Sequence, residues 1–448
     1  MTVEIRMPAL SPAMEEGRLA RWFVREGDAV EEGDVIAEIE TDKATLEFEA
    51  VAAGRLGRIL VPEGTEAVKV DTPIAELHGL DAPAPAAPAS APTPATPKPA
   101  ARNRPRSRAG VRLEPGWPAD LHRDVLTVRE ALRAALAAEM GADETVFVMG
   151  EEVAKDEGAY RVTHGLRERF GAARVIDTPV TEAGFTGMAV GAAFAGIRPV
   201  VEVMNMSFAL QAMDQIVNSA AKTHYMSGGA VTCPLVLRGP NGAMGRGGAQ
   251  HAQCFAAWFA HVPGLKVVYP YAASDAGGLL RAAIRDPNPV IFLENERLYG
   301  RSFEVPALDD HVVEIGRARV WRQGSDVTLV GYGPAMGAVL EAADALEADG
   351  IEAEVIDLRS LRPIDADTVI ESVRTTHRCV VVEEGWPQGG IGDHVAATVS
   401  AAAFDWLDAP VARVTGADVP MPYAEGLEAA ALPVAAQVVE AARRVAYR

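Results

Sequence analysis

The stretch Asp177-Thr-Pro-Val-Thr-Glu-Ala-Gly-Phe-Thr-Gly187 places one carboxylate, Glu182, between two different runs. A β-branched run (Val175, Ile176) leads in and stops at Pro179, and a small-residue run, Ala-Gly-Phe-Thr-Gly-Met-Ala-Val-Gly-Ala-Ala, follows directly. Glycine and alanine at this density let a second helix or a flat ligand approach the backbone closely. A lone carboxylate there is poorly solvated and suited to holding a proton for another group; the alternative is a helix-capping Glu beside a tightly packed helix. A second candidate is His251. It follows Arg238-Gly-Pro-Asn-Gly-Ala-Met-Gly-Arg-Gly-Gly248, a loop so rich in glycine that it requires close backbone approach or positive φ angles. The loop lacks the Gly-Lys-Ser/Thr of a phosphate-binding loop and does not open a helix in a dinucleotide fingerprint. On spacing alone, His251 reads equally as an acid/base group or as a satisfied surface histidine. A third loop, Met204–Phe208, and an acid-flanked lysine in Glu40-Thr-Asp-Lys43-Ala-Thr45 complete the set.

The chain that must position these residues has 448 residues, a length that suggests about three domains. Its 49% apolar and 23% charged content describes an ordinary soluble protein with ample core. A net charge of −20 argues against nucleic acid or anionic membrane as a partner. Cys233, Cys254 and Cys379 are too few and too scattered for a disulfide framework or metal cluster, and read as buried residues in a reducing compartment. No apolar run reaches transmembrane length. An alternating strand pattern opens the sequence with no signal or transit peptide before it, so the expected location is bacterial cytoplasm.

Residues 17–39 and 54–77 repeat one another at Gly-Arg-Leu, Val-x-Glu-Gly and Ile-Ala-Glu. Two copies imply a pseudo-symmetric β domain over residues 1–80, with strands at Val35–Ile39 and Thr45–Phe48. Symmetry puts the junction, and Lys43, at a hairpin tip. Residues 81–120 form an Ala/Pro-rich tether that cannot bury a core, ending in an arginine patch (Arg102, Arg104, Arg106, Arg108). Some 30 extended residues at ~3.1 Å each span on the order of 90 Å, a reach that implies delivery between separated sites. From 121 to 305 strands and helices alternate, predicting helices over Val128–Met140, Ala209–Met226 and Ala273–Ile284 and strands at Val146–Met149, Leu235–Leu237 and Val290–Leu293. Residues 306–448 repeat that pattern, with strands Val327–Tyr332, Glu354–Leu358 and Val380–Glu383. The glycine-rich Gly385-Trp-Pro-Gln-Gly-Gly-Ile-Gly392 could bind an anion at a helix start, but reads better as a close-packed turn.

Two resemblances follow from these residues. With Met7-Pro-Ala-Leu-Ser-Pro-Ala-Met14 and the Glu-Thr-Asp-Lys-Ala tip, residues 1–80 resemble an all-β lipoyl domain, a flattened β-barrel; Asp42 and Ala44 favour this over the related biotinyl domains. That implies amide-linked lipoate on Lys43. The remainder resembles the β subunit of thiamine-diphosphate-dependent 2-oxo acid dehydrogenases. It does so through Gly150-Glu-Glu-Val153, Gly158-Ala-Tyr160, Asp177-Thr-Pro179, Glu182, Gln211-Ala212, Asp214-Gln215, Asn218-Ser-Ala-Ala-Lys222, Arg238-Gly-Pro-Asn-Gly242, Gln250-His251 and Leu293-Glu-Asn295. The run Arg413-Val-Thr-Gly-Ala-Asp-Val-Pro-Met-Pro-Tyr423 places it nearest the pyruvate dehydrogenase branch. The implied architecture is multidomain: the lipoyl domain, a transketolase-like α/β domain binding the thiamine pyrimidine, and a transketolase C-terminal-type α/β domain serving mainly subunit association.

Residue by residue, the resemblance implies that Glu182 hydrogen-bonds the pyrimidine ring nitrogen, with Phe208 packing on the ring and Met204 and Gln211 nearby. His251 would face substrate and the incoming lipoyl dithiolane. A potassium site would map to Leu235, Ala283, Ile284, Asp286 and Asn288. Met206 departs from the family's more frequent aromatic residue, which bears on the details of cofactor packing. The family's Gly-Asp-Gly…Asn-Asn signature for magnesium and diphosphate is missing, so an α subunit must supply that half, in an α2β2 assembly. The expected partners are this α subunit, a dihydrolipoyl acyltransferase core and the substrate pyruvate. Two other functions remain: an acetoin or branched-chain 2-oxo acid dehydrogenase β subunit, and a non-catalytic lipoyl carrier or scaffold, against which Glu182 and His251 both argue. The absence of a His-x-x-x-Asp-Gly motif near the C-terminus excludes a lipoyl acyltransferase.

Overall fold

The computed structural model describes residues 2–8, 16–31, 33–40, 45–50, 52–78, 117–118, 120–307 and 309–447. Two compact units make up the chain, Met1–Ala101 and Arg102–Arg448.

The sequence repeat is visible as strand order in the first unit. One antiparallel sheet runs Thr2–Arg6, Pro73–His78, Gly54–Ile59, Ala29–Val30; the other runs Thr45–Glu49, Val35–Glu40, Glu16–Trp22, Thr65–Lys69. Each sheet therefore takes two strands from one copy and one from the other, in mirrored positions. Equivalent apolar residues meet in the core: Leu19 with Leu56, Ile36 with Ile74, Ile39 with Leu77, all at most 2% exposed. Burying each is worth roughly 1.5–3 kcal/mol, enough to hold a small domain whose turns are otherwise polar. Glu40 pairs with Thr45. Lys43 between them, residues 81–116 of the tether with the arginine patch, and most of Met7–Met14 lie outside the described residues.

In the second unit a seven-stranded sheet runs Val175–Asp177, Val146–Gly150, Arg198–Glu202, Val236–Pro240, Val290–Glu294, Lys266–Val268, Ser360–Arg362. Six strands are parallel and the seventh antiparallel. Alternate side chains serve two cores. Val148, Val200, Val236 and Phe292 face the helices Val128–Ala142 and Ala273–Arg285, while Met149, Val201, Leu237 and Leu293 face the helix Glu182–Phe194 and the turns after Phe208. Burial on both faces explains why these strands are continuous apolar runs in the sequence. The seventh strand is borrowed from the C-terminal part of the chain.

That part forms its own five-stranded sheet, Arg319–Arg322, Ala353–Asp357, Val327–Gly331, Cys379–Val382, Ala412–Val414. It is joined to the first sheet by a buried ion cluster as well as by the borrowed strand. Asp275 of the first layer accepts hydrogen bonds from Arg319 and Arg359 of the second, both at 2.8 Å. Among the described residues no helix is long and apolar enough to cross a membrane.

The expected helix Ala209–Met226 is broken into three pieces, a 3₁₀ turn Phe208–Ala212, a π-turn Gln215–Ala220 and an α-helix Ala221–Met226. The wide turn keeps both Ile216 and Ala220 in the core while Gln215 packs against Gly187 of the neighbouring helix. The Gly385–Gly392 loop is the close-packed turn expected. The N–H groups of Ile391 and Gly392, which could have bound an external anion, donate to Glu383 at 3.0 and 2.9 Å.

Candidate active site

Val146–Gly150 and Val175–Asp177 are adjacent parallel strands, with Gly150 opposite Asp177. Both end at the same edge, and the segments leaving them carry Glu151 and Glu182. The carboxyl ends of parallel strands are where open α/β sheets form ligand crevices. Asp177 steadies the first segment by accepting from the Ala154 and Lys155 N–H groups at 2.7 and 3.1 Å. Glu151 is 7% exposed and its Oε1 has no partner; burial pushes its carboxyl up, and the nearby negative charge of Glu182 adds to the effect.

Glu182 is the first residue of its helix and 4% exposed, with no hydrogen bond to its carboxylate from any described residue. Along the same helix and on the segment packed against it, Thr186 Oγ1, Ser207 Oγ and Gln215 Oε1 are also buried without partners. Buried polar atoms without partners are uncommon in folded chains, and this helix and the segment packed against it hold three of them. Close approach to the small-residue helix is realised at Gly187, whereas Gly191 faces open space.

Phe208 links this helix to the histidine. The turn it starts packs on the Glu182 helix, and its half-buried ring meets His251 edge-on, with centroids 5.2 Å apart at 83°. Met204, half-buried in the preceding loop, and Gln211, exposed on the Phe208 turn, flank it. Met206, the departure from the expected aromatic, is fully buried in the core and donates its N–H to Pro240, so it does not line the site. Asn205 has a role the sequence did not reveal: its Nδ2 donates to the His251 carbonyl at 2.8 Å while its Oδ1 accepts from Ser207 at 2.8 Å. It ties the Phe208 loop to the His251 main chain.

The glycine-rich loop leaves the strand Val236–Pro240 and ends in the single helical turn Gly248–His251, where His251 is exposed. Its base is fixed by Arg238, fully buried between Glu202 and Glu294, with Nε and Nη2 donating to Glu294 at 2.5 and 2.6 Å. Burial raises the Glu202 carboxyl, opposed by the Arg238 guanidinium. Glycine is obligatory at two points: a Cβ at Gly239 would strike the Val203 carbonyl, and one at Gly242 (φ +82°) the Glu384 carboxylate.

The potassium candidates are not brought to this site. Leu235 and the Ala283–Asn288 segment lie at the amino ends of the strands, the opposite edge of the sheet. There Arg198 donates to the Ile284 and Asp286 carbonyls at 2.9 and 3.2 Å, and Lys266 pairs with the Asp286 carboxylate. Only Asn288 Oδ1 is a buried acceptor without a partner. Arg198 and Lys266 contact oxygens of Ile284 and Asp286, while the Leu235 and Ala283 carbonyls and Asn288 Oδ1 have no cationic partner among the described residues.

A curated relative, the pyruvate dehydrogenase E1 component subunit beta of Rhizobium meliloti (strain 1021), is 58% identical over 460 residues and covers 100% of both chains. The chain belongs to the pyruvate dehydrogenase E1 β-subunit family. Other E1 β subunits match at similar identity over less of the chain. That of Rickettsia felis is 58% identical, covering 72% of this chain and 98% of its own. The mitochondrial beta-2 subunit of Oryza sativa subsp. japonica is 57% identical, covering 72% and 87%. Domain families match in three places: the transketolase pyrimidine-binding domain at residues 124–301, the transketolase C-terminal domain at 316–438 and the biotin-requiring enzyme (biotin/lipoyl) domain at 3–77. Among solved structures, an inactive β4 tetramer of a split-gene transketolase superposes with a TM-score of 0.60 at 27% identity, over 72% of this chain and 98% of its own. A lipoyl-type module joined to a pyrimidine-binding E1 β fold is therefore the architecture of this chain. The unpartnered Glu182 carboxylate and the Phe208 ring beside it fit a thiamine pyrimidine, which offers a ring nitrogen to the first and a flat face to the second.

Proposed function

We propose that, paired with an α subunit, this chain decarboxylates pyruvate with thiamine diphosphate and passes the acetyl group to a lipoyl dithiolane. The observation carrying this is the buried, unpartnered Glu182 one packed turn away from the Phe208–His251 pair. Thiamine diphosphate, when bound, supplies the electron sink that accepts the pair released by decarboxylation. Glu182, at the head of its helix and 4% exposed, would hydrogen-bond the pyrimidine ring nitrogen. Phe208 gives the ring a flat apolar seat, with Met204 and Gln211 at its margins.

Acetyl transfer to the dithiolane breaks its S–S bond. One sulfur takes the acetyl group, the other leaves as a thiolate that needs one proton, and both electrons come from the decarboxylated substrate. His251 is exposed where a carrier domain can reach it and delivers that proton. Lipoate on Lys43 makes the N-terminal unit such a carrier, acting at this site or among the lipoyl domains of a larger assembly built on an acyltransferase core. Magnesium and the diphosphate fall to the α subunit in an α2β2 tetramer. Val180 and Met188, 81% and 58% exposed at the entry to the Glu182 helix and along it, are apolar surface for that subunit to cover. The domain limits proposed are 1–80, 81–120, 121–305 and 306–448.

The test is co-expression with the α subunit and a pyruvate decarboxylation assay with thiamine diphosphate and magnesium, with Glu182→Gln and each subunit alone as controls. Activity confined to the pair, and reduced about 10²–10⁴-fold by Glu182→Gln, is the expected result. Turnover of acetoin or a branched-chain 2-oxo acid in place of pyruvate would reassign the substrate. A well-formed pair inactive on all of them would leave the carrier role.

A further inference from the structure

We infer that Glu384 and Glu428, two carboxylates of the C-terminal domain, are positioning residues that clamp the glycine-rich loop and so set the place of His251 during acyl transfer. The inference rests on the role proposed for His251.

The loop is tied at both ends within its own domain. At the start, the Asn241 carbonyl accepts from Tyr269 Oη at 2.8 Å and Asn295 Nδ2 at 2.9 Å; at the finish, Asn205 holds the His251 carbonyl. Between these anchors the backbone turns through left-handed conformations at Gly242, Gly245 and Arg246 (φ +82°, +70° and +61°). Successive N–H groups in such a path point outward together and need acceptor oxygens. The chain supplies it from more than 130 residues away. Ala243 N–H donates to Glu384, and the N–H groups of Gly245 and Arg246 donate to the two oxygens of Glu428 at 3.1 and 2.7 Å.

Both acids are rigidly mounted. Glu384 follows the strand Cys379–Val382 and is 7% exposed, while Glu428 lies on the helix Glu425–Ala431 and is 6% exposed. The left-handed Arg246, costly for a residue with a side chain, is held further by its contact with Glu425 at 3.1 Å. Without these acceptors, the segment from Gly242 to Gly248 has four glycines and no other described side chain holding its N–H groups. The loop would then rest on Asn295 at the Ala243 carbonyl and Asn205 at Met244 Sδ and the His251 carbonyl, and the His251 ring would shift from its contact with Phe208. A displacement of about 1 Å at a proton donor can reduce a rate about 100-fold.

The experiment uses the full chain assembled with its α subunit, thiamine diphosphate and magnesium. It compares acetylation of a lipoylated carrier domain with decarboxylation read through an artificial electron acceptor. Glu428→Leu is expected to lower kcat for acetylation ~10- to 100-fold with little change in KM for the carrier, and to lower decarboxylation several-fold less. Glu428→Gln, which keeps one acceptor oxygen, should recover much of the loss, as should Glu384→Gln compared with Glu384→Leu. Hydrogen exchange in the 241–251 segment should accelerate in the Leu variants alone. Equal loss of both activities in Leu and Gln variants alike would overturn the inference in favour of a general structural role. So would normal acetylation in Glu428→Leu while His251→Ala is impaired. Normal acetylation by His251→Ala would overturn the role of His251, and the clamp would lose its purpose with it.

Discussion

Glu384→Gln should stabilise the protein at alkaline pH and leave it nearly unchanged in acid. Burial pushes the Glu384 carboxyl up from 4.5 to about 7; the Ala243 N–H and Arg297 oppose the shift and the charge of Glu428 adds to it. A change of that size corresponds to roughly 3 kcal/mol at about 1.4 kcal/mol per unit. The folded chain binds this proton more tightly than the unfolded chain does. Stability is therefore lost as pH rises from 4.5 to about 7, and the full cost is present above that window. Glutamine keeps an oxygen for the Ala243 N–H and never ionises. Spread over an unfolding entropy of about 2.1 cal/mol/K per residue for a unit of roughly 350 residues, 3 kcal/mol corresponds to a melting-temperature gain of about 4 °C. Melting the assembled wild type and variant from pH 5 to pH 8.5 reads this directly. The difference should open between these limits; a constant difference, or a variant that melts lower at pH 8, would refute the assignment of a buried ionising acid at this position.

Phe208→Ala removes the edge-on contact with His251 and the proposed seat for the pyrimidine, and should raise the thiamine diphosphate concentration for half-saturation ~3- to 10-fold at an aromatic contact worth about 0.5–1.5 kcal/mol; titration of the apo-pair with cofactor measures it. Arg238→Ala strands Glu202 and Glu294 as buried carboxylates and should cost about 3–5 kcal/mol, seen as loss of soluble folded chain, whereas methionine with both acids made Gln should be far milder. Deleting residues 1–110 should leave artificial-acceptor decarboxylation intact while changing flux through the full complex; no change in either would make the N-terminal unit a passive attachment.

The candidate residues Glu182 and His251 stand out locally in the sequence, and the structure joins their segments through Phe208. The repeat predicted a pseudo-symmetric β domain, which the structure builds as two sheets, and strands buried on both faces appeared as unbroken apolar runs. The chemical residues sit where a strand pattern gives way to a glycine-rich or small-residue segment. Glu151 and Asn205 escaped for a common reason. Each acts through a neighbour distant in sequence: Glu151 through the strand pairing that sets it beside Glu182, Asn205 through one bond to the His251 carbonyl. The clamp on the glycine-rich loop is further still from local inspection, since its acceptors come from another domain. The π-turn at Gln215–Ala220 was read as continuous helix because its buried residues, Ile216 and Ala220, keep the four-residue spacing of an α-helix.

The strand Ser360–Arg362, borrowed to finish the first sheet, has a consequence for how the chain is made. A ribosome releases residues in order, so Lys266–Val268 emerges roughly ninety residues before the strand that covers it. At about 5–20 residues per second, that edge waits some 5–20 seconds with its hydrogen-bonding groups open. During this interval the nascent chain is at its most vulnerable to pairing with another copy. A chain stopped near residue 340 should aggregate, and the complete chain, in which both sheets are finished, should not. The two domains are thus a single unit in synthesis as well as in the finished fold, and shortening the chain from its C-terminus would expose a sheet that is complete only when the later domain arrives.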